Sequence, residues 1–237
     1  MSIAILLAIA AAIGWSPALT RGSQAGPSFV LGEAPAAVYD GELGSGAVVQ
    51  AAFVGVDTSS RSAVASYFNS EYVSGPALGP TGSVAGCSPD STSDAFKQAV
   101  LKRINFYRGM AGVPAAPTIS ATNSAKDQQA ALMFVANGAL SHNPPSSWTC
   151  WTAEGAEAAG KSNIAIGVFG WNAIDMYMRD NGSNNAAVGH RRWVLYPQTQ
   201  TFGTGDVNGV GGNAMYQGRG NALWVQDANM WAARPAT

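Results

Sequence analysis

Charge is scarce in this sequence. Only 11% of its 237 residues are Asp, Glu, Lys or Arg, against a usual ~25%. The net charge is −1, so there is no electrostatic case for binding nucleic acid or an anionic membrane. Histidine is scarcer still, at two residues, and so is cysteine, at two. Two cysteines exclude a multi-bridge scaffold, and there is no CxxC pair and no Cys/His cluster of zinc-finger spacing. GxSxG, HExxH and the P-loop are all missing, and the glycines of "GTGDVNG" do not form a dinucleotide fingerprint. What fills the chain instead is small residues, including 28 glycines.

The chain opens with an apolar run from Ile3 to Ile13. That is the length of a signal-peptide core and too short for a membrane span, although no positive residue precedes it. Residues 1–25 are therefore expected to be a signal peptide, against the alternative of an apolar core helix. Residues 26–90 are rich in Gly, Ala, Ser and Pro and read as an extension and linker. Within them, "GAVVQAAFVGV" shows apolar alternation and "RSAVASYFNSEYV" suits a short helix. Cys87 and Cys150 can form one bridge tying this extension to the C-terminal part of the chain, or remain as two free buried thiols. An exported protein favours the bridge.

From residue 94 the pattern becomes helical. Phe96, Val100, Ile104 and Tyr107 form one stripe, with Ser91 or Ser93 as cap and Gly109, Gly112 and Pro114 as stop. "NSAKDQQAALMFVANGALSH" predicts a second helix with Ala125, Gln129, Leu132 and Met133 inward. Residues 143–162 read as a loop, and "WNAIDMYMRDN" as a third helix with Ile174, Tyr177 and Met178 inward. The period then becomes two, with "TQTFGTGDV" and "NALWVQD" as antiparallel strands. The fold class is α+β, a small antiparallel sheet covered by helices.

The series "RINFYR", "ALSHN", "SNIAIG", "AIDMYMRDNG", "VGHRRWVLYP", "FGTGDV" and "NALWVQD" resembles the CAP superfamily of cysteine-rich secretory, antigen 5 and pathogenesis-related proteins, in the form of its bacterial SCP-like domains. The likeness covers residues 92–228, so residues 91–237 are expected to be the CAP domain. It implies a three-layer α-β-α sandwich, secretion to the extracellular space or periplasm, and a cleft holding two histidines and two acids. His142 and His190 match the histidines. Asp180 matches one acid with a shorter arm. Where the family carries the other acid, a glutamate, this chain has Ser162, and Glu157 or Glu154 are the nearby carboxylates.

His142, His190 and Asp180 are enough ligands for weakly held zinc or another divalent cation, if they converge. The rival reading of both histidines is structural: a helix-end residue for His142 and a turn residue for His190. Asn105, Arg108, Asn163, Arg191 and Trp193 are expected to be structural, with an arginine of the 191–192 pair bracing the cleft through Asp180 or Asp175 and Trp193 packing on the sheet. The function expected is binding, of a lipid, a cell-wall component or a small ligand. The alternatives are a metal- or His/Ser-dependent hydrolase using His142, His190 and Ser162, and a lipid- or sterol-binding module. No nucleic acid partner is expected.

Overall fold

The computed structural model describes residues 30–36, 55–116, 118–182, 186–211 and 214–227. The expected signal peptide and most of the alternating stretch at 46–56 lie outside them.

Three helices follow the expectation closely. α1 (Arg61–Glu71) is capped by Ser60. α2 (Asp94–Met110) starts at Ser93, whose hydroxyl accepts from the Phe96 N–H. This satisfies one of the amides a helix start leaves free. α3 (Ala121–Asn137) ends at Gly138, which takes the left-handed conformation common at helix ends. The inner face of α3 differs from the expectation. Ala125 is exposed and Gln129 half-buried, while Ser124, Asp127 and Gln128 are buried. Polar residues can occupy this face because the sheet offers partners: the Thr204 N–H donates to Ser124, and Gln128 exchanges hydrogen bonds with Asp206.

The stretch expected as a loop contains α4 (Ala153–Lys161), capped by Thr152. Its alanines favour helix and bury cheaply against α3. β3 (Ser162–Ile166) follows directly, buried at every position. A strand covered on both faces shows no alternation, so periodicity misses it. α5 (Gly170–Arg179) and α6 (Gly189–Val194) precede β4 (Thr201–Phe202), β5 (Gly205–Val207) and β6 (Gly220–Trp224).

The main sheet has the order β1-β3-β6-β5, with all neighbours antiparallel. Its edge strand, β1 (Val30–Leu31), comes from the N-terminal extension. β2 (Thr118–Ile119) and β4 form a separate parallel pair. Alternate residues of β3 face opposite layers. Ile164 and Ile166 join α3 and α4 in one core, and Ala165 joins α2, α5 and α6 in the other. The result is an α-β-α sandwich. α3 lies so close over β5 that a Cβ on Gly205 would fall 2.0 Å from the Asp127 carbonyl carbon. Only glycine fits there.

Candidate functional site

α5 and α6 build one wall of the site. Asp180 closes α5 in the left-handed conformation and donates its N–H to the Met176 carbonyl. This turn aims its carboxylate at α6. His190 Nδ1 lies 2.8 Å from Asp180 Oδ1, and the other carboxylate oxygen takes the Arg191 N–H. The Tyr177 ring stacks on the imidazole with centroids 5.4 Å apart. The Asn163 side-chain amide donates to the His190 carbonyl, which ties α6 to β3.

His190 is wholly buried. Burial pushes its pKa below the usual histidine value, against the opposing pull of Asp180. A charge on His142 would push it the same way as burial, while the Gly32 backbone favours the charged form. Nδ1 faces Asp180, and Nε2 is buried beneath the Gly32 backbone.

His142 forms the opposite wall. It stands in the loop five residues beyond the last residue of α3, not on the helix. Its Nδ1 lies 2.5 Å from the Ala159 carbonyl of α4, and its Nε2 meets the Glu33 carbonyl. A neutral ring has one N–H, so it donates to one of these at a time.

Between the walls runs the segment of residues 30–36. The Gly32 N–H donates to the Ile164 carbonyl at 3.0 Å, continuing the β1–β3 ladder. Trp193 Nε1 donates to the Pro35 carbonyl at 2.8 Å, and the Gln226 amide to the Ala36 carbonyl at 2.9 Å. No local feature of the sequence announces this placement.

Ser162 lies on the other face of β3. Its hydroxyl is fully buried and donates to Asp127 Oδ1 at 2.7 Å. The other Asp127 oxygen accepts the Trp224 N–H. Burial raises the Asp127 carboxyl well above the usual range. Thus where the resemblance leads one to expect a glutamate, the chain has a serine backed by a carboxylate from α3. Glu157 binds Lys126 and Lys161 on the surface of α4 and joins neither histidine; Glu154 is exposed.

The arginines differ from the expectation. Arg191 Nε donates to the Met178 carbonyl and its Nη2 to the Arg179 carbonyl, so it caps the end of α5, and among the described residues its side chain pairs with no acid. A cation suits the carbonyl end of a helix. Arg192 is exposed. Asp175 is taken by Arg103, Tyr72 and Tyr107 on the far side of α5. Asn105 exchanges two hydrogen bonds with the backbone of Ala116. Arg108 is fully buried and donates to five carbonyls, of Pro114, Val194, Tyr196, Pro197 and Thr199. It therefore holds the chain that leaves α6.

A catalytic zinc site needs three protein ligands. Among the described residues no three His, Cys, Asp or Glu side chains come together to hold a metal. Asp180 is committed to α6 and His142 to two carbonyls, so this donor set does not fit zinc. An open cavity of about 320 Å³ lies elsewhere, with Asp175, Arg179 and Arg219 in its wall, and neither histidine lines it.

The α-β-α layering matches the arrangement that the motif series leads one to expect. The family model described as "CAP: Cysteine-rich secretory protein family" matches residues 101–227. The chain belongs to this family. No curated protein and no solved structure matches it.

Proposed function

We propose that this protein is an extracytoplasmic binding module whose binding site is the cleft between His142 and His190. One observation carries the reading: the polar groups nominated for chemistry are engaged within the protein. Ser162 gives its proton to a buried carboxylate, Asp180 is spent on α6, and the His142 ring is held by two backbone carbonyls. A serine hydrolase needs its nucleophile within hydrogen-bond reach of a base that takes its proton. Here the base-like partner of Ser162 is a carboxyl sealed in the core.

Export is supported by the disulfide, which persists in oxidising compartments. No helix among the described residues is long and apolar enough to cross a membrane. A lipid or sterol ligand would call for an apolar cavity, and the 320 Å³ cavity, which lies away from the two histidines, has Asp175, Arg179 and Arg219 in its wall.

The test is chemical labelling. A serine-reactive phosphonate is expected to leave the protein unmodified, as read by intact mass. A specific adduct on Ser162, lost in His142→Ala or His190→Ala, would replace the binding reading with the hydrolase.

A further inference from the structure

The walls of the cleft and the segment that fills it come from different parts of the chain. His142, β3, His190, Trp193 and Gln226 all lie within the family-matched residues 101–227, whereas residues 30–36 lie far outside them. The matched domain supplies a groove, and the extension supplies its occupant.

The grip is almost entirely on the backbone. β3 takes the Gly32 N–H, His142 meets the Glu33 carbonyl, Trp193 takes the Pro35 carbonyl and Gln226 the Ala36 carbonyl. This is how an extended peptide adds a strand to an open sheet edge: main-chain bonds hold it, and alternate side-chain positions select it. Selection is legible as well. A Cβ on residue 32 would lie 2.5 Å from Ile164 Cγ1, so any larger residue must displace the Ile164 side chain. A Cβ on Gly189 would lie 2.6 Å from that of Ala34, so the wall is cut back to admit alanine. Pro35 is buried, while Glu33 and Ala36 are exposed. The pattern Gly-x-Ala-Pro that results occurs once in the chain, at Gly32 to Pro35.

The seat is also slight for a permanent strand. β1 has two residues, and Val30 is 42% exposed. The wholly buried His190 ring lies under the segment, beside the Gly32 backbone.

We propose that the cleft is a peptide-binding groove that takes an extended Gly-x-Ala-Pro segment by strand addition, and that residues 30–36 are its exchangeable occupant in cis. The proposal rests on the binding-module reading and names its ligand class. A covalent tether that allows seating gives an effective concentration on the order of millimolar. A free peptide of the same sequence therefore competes poorly with the intact chain and well once the tether is cut.

The experiment uses the full chain with a protease recognition sequence inserted between Gly44 and Ser45. A fluorescent peptide of residues 28–38 is titrated before and after cleavage, with anisotropy as readout and far-UV circular dichroism as the fold control. Binding is expected to strengthen at least tenfold on cleavage, and the released N-terminal fragment to be displaced by unlabelled peptide. The same peptide with Gly32→Val is expected to bind at least tenfold more weakly. The intact Gly32→Val chain is expected to bind the wild-type peptide without any cut; if that variant fails to fold, the cleaved wild-type chain still decides. If the cleaved chain keeps its fragment until global unfolding, or unfolds when the fragment leaves, residues 30–36 are a fixed strand and the proposal is wrong. Equal binding of both peptides would likewise overturn strand addition at this register. Failure of peptide binding with no phosphonate adduct removes the ligand class and leaves the binding module; an adduct on Ser162 removes the module itself.

Discussion

His190 Nδ1 and Asp180 Oδ1 stand 2.8 Å apart with both side chains fully buried. The pair joins the end of α5 to the start of α6, and so sets the depth of the cleft wall. Its consequence for stability has a definite sign. Burial lowers the pKa of His190 in the folded state below its unfolded value near 6.5. The unfolded chain therefore binds the proton first as pH falls. Stability is fully present above about pH 6.5 and declines as pH drops from there to the folded pKa.

Thermal melts are accordingly expected to shift downward between pH 7.5 and pH 5, and the shift to shrink in His190→Gln. The raised carboxyls of Asp127 and Asp206 act in the opposite sense, in a window that opens near their unfolded value of 3.8. The difference between wild type and variant isolates the histidine. An identical pH dependence in both would show that His190 does not titrate differently on folding.

Arg108 provides a test of the support beneath the site. Its guanidinium satisfies five carbonyls with a planar fork that lysine cannot reproduce. Arg108→Lys is expected to cost about 3 kcal/mol or more in urea unfolding, from buried carbonyls left unpaired. It is also expected to loosen α6, seen as faster hydrogen exchange at the Arg192 and Leu195 amides, which donate to Val188 and Arg191. A loss below about 1 kcal/mol would mean that water replaces the fork.

The Cys87–Cys150 bridge closes a separation of 63 residues. On the chain-entropy estimate such a loop is worth about 4 kcal/mol. Thiol titration of the denatured, unreduced protein is expected to find no free thiol. The Cys87→Ser, Cys150→Ser double variant is expected to unfold at lower urea by an amount near that figure. Two titratable thiols would contradict both the bridge and the compartment proposed from it.

Zinc offers a fourth measurement. With His142 and Asp180 committed to partners inside the protein, added zinc or EDTA is expected to leave the melting temperature of the intact chain unchanged. A zinc-dependent rise that disappears in His142→Ala and His190→Ala would show that the two rings converge on a metal after all.

The helices with one apolar face and marked ends are written in the amino-acid order alone. α2 is legible from its stripe and Ser93, α3 from its length and Gly138, and α5 from Ile174 and Tyr177. The motif series also points to the family, because order and spacing survive where single motifs are weak. The other elements depend on packing. β3 is buried on both faces, so its side chains carry no period, and α4 is short and interrupted by Gly155 and Gly160, so it reads as loop although its alanines favour helix. Asp127 and Gln128 read as solvent-facing until β5 and β6 offer them partners. The seating of residues 30–36 is beyond any local reading. It depends on hydrogen bonds to backbone carbonyls from side chains over a hundred residues away, and every residue has a backbone carbonyl, so nothing in the side-chain pattern records where they meet.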